Sequence, residues 1–252
     1  MTDLVHRITQ DLRALGVREG GVLLVHSSLS ALGYVEGGPE TVIQGLLGAL
    51  GPDGTLLMPA LTYERVTPEN PVFDARHTPS NVGAIPEYFR LRPGTRRSVH
   101  PTHSVCAVGP RAGALLDDHP LDDTPCGPHS PFRKLRDVSG QLLMLGCGLH
   151  PNTSMHAIEE LVEPPYLFGE SLIYRLIYAG GHAETKAYRT HSFLGYDQRY
   201  DRVAGVLAEP ALHRGRVLTA EAYLIDVPAM WDAVLAALRR DPLYFVEAVG
   251  RG

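Results

Sequence analysis

"GVLLVHSSLSALGYVEGGPETVIQGLLGALGPDGTLLMPA", residues 21–60, decides the fold class. Its first part, "GVLLVHSS", is a continuous apolar run that passes into a serine-rich turn, the pattern of a strand buried on both faces. Pro39 is placed to open a helix that carries Val42, Ile43, Leu46, Leu47 and Leu50 at helical spacing, and "GPDG" at 51–54 stops it. "TLLMPA" then reads as a second buried strand. Strand, loop, helix and strand in that order are the grammar of an α/β sheet with crossover helices.

The same reading extends in both directions. Leu4, Val5, Ile8, Leu12 and Leu15 recur at helical spacing ahead of Gly16, which predicts a short amphipathic opening helix. Residues 61–82 are rich in Pro, Thr and Glu and predict a long surface loop, followed by a helix near Gly83 to Leu91. "SVCAVG" (104–109) and "GQLLMLG" (140–146) read as strands, separated by a loop crowded with Pro120, Pro125, Gly127, Pro128 and Pro131. Asn152 to Val162 reads as a helix. From about residue 170 the pattern alternates as antiparallel strands do, in "SLIYRLIYAGG", "ETKAYRTHSF" and "LHRGRVLTAEAYLIDV", and a last helix follows Pro228 through Leu238. The expectation is one α/β domain over 1–252 whose C-terminal part adds antiparallel strands.

With 44% hydrophobic residues the chain can bury a large core. Its 23 basic and 28 acidic residues are scattered, giving a net charge of −5 without the basic stripe of a nucleic-acid binder. Cys106, Cys126 and Cys147 are too few and too irregular for a disulfide framework, which points to a reduced, cytoplasmic protein. The first residues lack the apolar core of a signal peptide, and no run approaches the ~20 apolar residues of a membrane span.

The chemistry concentrates in "GCGLHPNTSMHAIEELVE", residues 146–163. His156 and Glu159 stand three apart on one helix face, so the carboxylate can accept a hydrogen bond from one ring nitrogen and leave the other as a general base. A chance pair on a solvated helix face would have the same spacing. Metal binding by an H-E-x-x-H pair is not indicated, because the position that would carry the second histidine is Glu160. "RRSVHPTHS", residues 96–104, combines two arginines able to clamp phosphate with two histidines that are either site walls or structural residues. Ser27, Ser28 and Ser30 lie at the carboxyl end of a strand, where α/β sheets usually place ligands. The nucleophile elbow, the P-loop and the R-x-x-G-x-G/A pyrophosphate signature of the common N-acetyltransferase fold are missing. Cys106 and Cys147 read as small hydrophobes, and Cys126 is the one cysteine whose loop leaves room for reactivity.

Taken in order, "VHSSLSALGYVEGG" (25–38), "DARHTPSNVGAIPEYFRLRPGTRRSVHPTHSVCAVG" (74–109), "HPLDDTPCGPHSPFRKL" (119–135) and "LLMLGCGLHPNTSMHAIEE" (142–160) resemble the aminoglycoside 3-N-acetyltransferase, or antibiotic N-acetyltransferase, family. The resemblance is strong over residues 3–163 and looser beyond. It implies an α/β fold with a central mixed sheet, flanking helices and added C-terminal antiparallel strands, distinct from the common N-acetyltransferase fold. It implies transfer of an acetyl group from acetyl-coenzyme A to an amine, with no metal, by direct attack in a ternary complex. His156 matches the family's histidine and Glu159 its glutamate.

The coenzyme contacts that the resemblance implies are Ser27, Leu29 and Ser30, then Arg97, Ser98, His100 and Pro101, then Gly127, Ser130 and Pro131. Backbone amides near Asn152 or the Ser27 turn are the expected donors to the thioester oxygen. The chain departs from the family in its short "LTYERVTPE" segment (61–69) and in its C-terminal third, both of which shape the acceptor pocket. Tyr63, Glu64, Asp74, Asp123 and Glu163 are the residues expected to bind a polycationic sugar. The expected partner is an aminoglycoside, with a biosynthetic amine or a non-catalytic coenzyme-binding module as alternatives, and the protein would be a monomer or homodimer.

Overall fold

The structure, a computed structural model, describes residues 2–250. In chain order its first half comprises α1 (Thr2–Leu15), β1 (Val22–Ser27), α2 (Gly38–Leu50), β2 (Thr55–Pro59), β3 (Val72–Asp74), α3 (Ala84–Leu91), β4 (Arg96–Arg97), β5 (Val105–Val108) and α4 (Ala112–Leu116). The second half comprises α5 (Pro131–Asp137), β6 (Gln141–Leu145), α6 (Ser154–Val162), β7 (Phe168–Ile177), β8 (Ala183–His191), β9 (Tyr196–Gln198), β10 (Leu212–Val217), β11 (Ala220–Asp226), α7 (Val227–Arg240) and β12 (Val246–Ala248).

Seven strands form the central sheet in the order β10-β11-β6-β1-β2-β5-β4. β1 runs parallel to both β2 and β6, while the flanking β5, β4, β11 and β10 pair antiparallel, so the sheet is mixed as the resemblance implies. The apolar runs of β1, β2 and β6 are buried on both faces. Leu24, Leu142 and Met144 pack with Phe132, Ile158 and Trp231 on one side, and Leu23, Val25, Leu143 and Leu145 pack with Ile8, Leu12, Ile43 and Phe89 on the other. Alternation along a pleated strand sends successive side chains to opposite cores, and helices on both faces supply the apolar cover that such strands require.

Three sequence expectations need correction. The 61–82 loop contains β3, which pairs parallel with β7 and buries Phe73 completely. A three-residue strand is too short to register as alternation. The Pro-rich loop between β5 and β6 contains α4 and α5, the second opened by Pro131 behind the cap residue Ser130. The C-terminal antiparallel strands that the sequence leads one to expect are shared among three sheets: β7 and β8 join β3, β10 and β11 extend the central sheet beside β6, and β9 pairs with β12. The helix read from Asn152 begins at Ser154, because the Asn152 side chain accepts the Ser154 N–H and serves as a local turn. Among the described residues no helix is long and apolar enough to cross a membrane.

Because β6, β1 and β2 are parallel, their carboxyl ends share one edge. That edge delivers His26 and Ser27, the segment from Pro59 to Tyr63, and the turn from Gly146 into α6 to one place. Gly146 has φ +72°, and a Cβ there would stand 2.6 Å from the Ala31 Cβ, so the turn out of β6 needs glycine both for its backbone angle and for room.

Candidate active site

A cavity of about 560 Å³ opens at this edge, walled by His26, Tyr63, His103, His156, His191 and Tyr200 among others. His156 lies in the first turns of α6 and is 7% exposed, while Glu159 is fully buried. The chance surface pair allowed by the spacing is therefore not what the fold contains. Nδ1 of His156 is 3.0 Å from Oε2 of Glu159. Tyr200, on the 3-10 turn Tyr200–Gly205, donates its hydroxyl to the same oxygen at 2.7 Å and also stands 2.9 Å from Nδ1. Tyr166 donates to Oε1 at 2.7 Å. A carboxylate sealed from water is costly unless its lone pairs are satisfied, and here three partners satisfy it. With Nδ1–H directed at Glu159, Nε2 of His156 keeps its lone pair.

Three further histidines of the wall, His26, His103 and His191, are held in the neutral form. Burial first, then the neighbouring His156, lowers His26 to about 3. His103 and His191 are held well below the ordinary histidine value, again by burial and then by the other imidazoles. Nε2 of His191 lies 2.9 Å from Oε1 of Glu160, which also accepts the Cys126 amide at 2.7 Å, while the other Glu160 oxygen takes the Thr124 hydroxyl at 2.6 Å. Burial raises the Glu160 carboxyl, with these hydrogen bonds opposing. His103, His156 and His191 are the group able to hold a metal ion among the described residues, although the H-E-x-x-H spacing is absent.

The serine turn lies where two pockets meet. Ser27 borders both this cavity and an adjoining groove of about 590 Å³ lined by Leu29, Ser30, Gly33, Tyr34 and Gly83. The Ser27 hydroxyl is buried without a hydrogen-bond partner. The other expected coenzyme contacts are engaged by partners within the fold. Arg97 donates Nε to Ser104 Oγ at 2.9 Å, Nη1 to Thr78 O at 2.6 Å and Nη2 to Ala60 O at 2.9 Å, and lies over the Phe73 ring. Its guanidinium pins the 61–82 segment to β5 and is not presented to a phosphate. Ser98 Oγ accepts the Val105 amide and meets His119, both at buried positions. His100 is 1% exposed, accepts the Thr102 and His103 amides at Nδ1 and stacks on His119. Gly127 leaves room for Asp122, whose Cγ would stand 2.6 Å from a Cβ, and Ser130 caps α5 from a fully buried position.

Of the expected acceptor residues, Tyr63 lines the cavity and is half exposed. Asp74 accepts the Arg76 and His77 amides and the His77 ring, and Glu163 pairs with Arg189 at 2.8 Å, so both are tied elsewhere. Glu64 and Asp123 are exposed and do not line it. A second hollow of about 770 Å³ shares His150, Phe193 and Gln198 with the cavity and adds Asp197 and Glu247, acids the sequence reading passed over. Tyr166, Tyr200, Glu160 and His191 were also missed. Tyr200 and His191 reach the site from distant segments, whereas Glu160 stands beside Glu159 on α6 and Tyr166 follows seven residues after Glu159. Cys126 is fully buried and its thiol is pushed well above its ordinary value by burial, then by Glu160. Cys147 lines the cavity, with burial raising it to about 11.

A family profile described as aminoglycoside 3-N-acetyltransferase matches residues 24–239. Aminoglycoside N(3)-acetyltransferase VIII of Streptomyces fradiae is 40% identical over 63% of this chain, and the alignment takes in 61% of that relative's length. Aminoglycoside N(3)-acetyltransferase IX of Micromonospora chalcea is 32% identical over 90% of both chains. Among solved structures, AAC-IIIb in binary complex with CoASH superimposes with a TM-score of 0.81 at 30% identity, covering 94% of this chain and 96% of that one. The chain belongs to the aminoglycoside 3-N-acetyltransferase family.

Proposed function

We propose that the protein transfers an acetyl group from acetyl-coenzyme A to an amine, most fittingly the 3-amino group of an aminoglycoside, with His156 as general base oriented by Glu159. The observation that carries this reading is the sealed His156–Glu159–Tyr200–Tyr166 network on the wall of a cavity that meets a second groove at Ser27. An amine that is protonated near neutral pH must lose a proton before it can attack. Nε2 of His156 takes that proton while Glu159 stabilises the imidazolium. The groove along Ser27–Ser30 fits the coenzyme, because it ends at an orphaned buried hydroxyl in want of an acceptor. Bound there, the coenzyme supplies the acetyl group as a thioester. Ser27 Oγ–H donates to the thioester oxygen as charge grows on it. The N–C bond forms, the C–S bond breaks, the proton held on His156 passes to the departing thiolate, and the freed Nε2 takes the second proton from the new amide nitrogen and releases it to solvent.

Support for a polycationic acceptor comes from the hollow beside the cavity, where Asp197 offers a carboxylate to a cation while Glu247 is paired with Arg199. Named relatives act on aminoglycosides, and a coenzyme-bound structure lies among the neighbours. The deciding experiment adds acetyl-coenzyme A with a panel of aminoglycosides and follows free thiol release. Release with at least one of them supports the reading. Coenzyme binding without release moves the assignment to another amine or to a binding module.

A further inference from the structure

His103, His156 and His191 converge on the cavity from the loop ahead of β5, from α6 and from the end of β8. One ligand-capable atom from each lies within 4.8 Å of the other two. The hydrogen bonds already on the rings decide which atoms are open. Nδ1 of His156 is engaged by Glu159 at 3.0 Å, Nε2 of His191 by Glu160 at 2.9 Å, and Nδ1 of His103 by the Thr102 hydroxyl at 2.8 Å. That leaves Nε2 of His156 and Nδ1 of His191 with lone pairs, and Nε2 of His103 presents one in the tautomer whose Nδ1–H donates to the Thr102 hydroxyl; Nδ1 of His191 is buried without any partner.

We propose that these three nitrogens bind a divalent transition cation of the zinc and copper type, which competes with the acceptor amine for Nε2 of His156. Three imidazoles with a fourth position open to a cavity are a donor set suited to zinc, copper or nickel and ill suited to magnesium or calcium. Two of the rings hand their second nitrogen to a buried carboxylate, the arrangement that fixes ring orientation and strengthens the ligand in metal sites. Glu160 is itself held by the Thr124 hydroxyl and the Cys126 amide, so the His191 ring stands on a fixed support. Zinc–nitrogen bonds of about 2.0–2.1 Å in a tetrahedron put the ligands about 3.4 Å apart, so the three rings, which bring one ligand atom each within 4.8 Å of the others, have to close by side-chain rotation to bind. The cation is an inhibitor here, since it takes the electron pair that the amine proton needs. The competition rests on the base role assigned to His156; the binding site does not.

The test begins with the chelator-treated full-length protein alone, titrated with Co²⁺ by visible absorption and with Zn²⁺ by calorimetry. One cation per chain, a tetrahedral cobalt spectrum and no thiolate charge-transfer band are expected. His103→Asn and His191→Asn should each weaken binding at least about tenfold, and Glu160→Gln, which keeps all three ligands, about 10- to 100-fold. His213→Ala, an exposed histidine elsewhere, should leave the affinity unchanged. Absence of binding to the wild-type protein overturns the site and needs no variant to fold; a thiolate band abolished by Cys147→Ser overturns it as well. In the transfer assay Zn²⁺ should raise the KM of the acceptor and not that of acetyl-coenzyme A, with activity restored by chelator. Binding without inhibition of a working enzyme overturns the competition, whereas binding by a protein that acetylates nothing upholds the site and refutes the transferase reading instead.

Discussion

Glu159 Oε2 lies 3.0 Å from His156 Nδ1, and the carboxylate has no solvent exposure. Two residues one helical turn apart thus form a unit that neither could form alone: the histidine gains a fixed tautomer, and the glutamate gains a donor that makes its burial tolerable. Removing the base by His156→Ala should lower acetyl transfer by about 10² to 10⁴, with coenzyme affinity nearly unchanged. Wild-type turnover in that variant would end the assignment.

Glu159→Gln keeps the shape and removes the charge. Activity should fall, and the acid limb of the pH–rate profile should move toward lower pH, because the charge that favours a protonated imidazole is gone. Tyr166 and Tyr200 meet different carboxylate oxygens, so in the amide one hydroxyl can still donate to the oxygen while the other accepts from the NH2 group, the fold should persist and the comparison stays one of chemistry. A profile superimposable on wild type would reduce Glu159 to a structural residue.

How much of this was legible follows from the range of each interaction. β1, β2 and β6 could be read because their apolar runs are continuous and bounded by Gly, Pro or Ser. The His156–Glu159 pair could be read because three residues on a helix bring side chains together wherever the helix lies. Tyr200 and His191 could not, since they reach the pair across 44 and 35 positions through loops whose paths no local pattern specifies. Arg97 is instructive in another way. The residues flanking it stood out as a block, yet whether a guanidinium faces solvent or a hydroxyl and two backbone carbonyls depends on the packing of β3 and the 61–82 segment, which spacing does not encode.

Acid should unfold the protein with proton uptake. Burial depresses His26 and His119 to about 3 and holds His100, His103 and His191 well below their ordinary 6.5. The unfolded chain binds these protons near 6.5 and the folded one does not, so the stability from neutral histidines is complete above that pH and is lost as pH falls toward 3. Each group contributes a slope of up to about 1.4 kcal/mol per pH unit. Glu160 and Asp122, raised by burial, act with the opposite sign and reduce the net slope. Urea unfolding at about pH 7.5 and about pH 5.5 should differ by at least the ~1.4 kcal/mol of one such histidine. Equal stability at the two values would contradict the buried neutral cluster.

An acetyl-cysteine on Cys126 is the rival to direct transfer. The thiol is fully buried, does not line the cavity, and is raised well above its ordinary value, all of which disfavour a thiolate. Cys126→Ser should retain substantial activity, and double-reciprocal plots should intersect. An acetylated intact mass after mixing with donor alone, lost in Cys126→Ser, would establish ping-pong chemistry and recast His156 as activator of a thiol.

The last prediction separates scaffold from ligand contact at Arg97. Its Nη1 and Nη2 hydrogen bonds to Thr78 O and Ala60 O run to a segment that otherwise has little regular structure, and burial lowers the guanidinium only to about 10, so it stays charged at neutral pH. Deleting it leaves buried carbonyls short of a donor, at a cost of about 1–3 kcal/mol, or a melting temperature lower by roughly 2–4 °C for each kcal/mol in a chain of this size. Arg97→Ala should therefore lose thermal stability. Where the variant remains folded, the KM for acetyl-coenzyme A should stay within about twofold of wild type, because none of the donor distances involves the groove along Ser27–Ser30. Arg97→Lys should recover only part of the stability, since one ammonium cannot reproduce a planar fork that reaches a hydroxyl and two carbonyls at once. A rise in the coenzyme KM with unchanged melting would return Arg97 to the phosphate-binding role its sequence block implies, and would require the 61–82 segment to release the guanidinium when coenzyme binds.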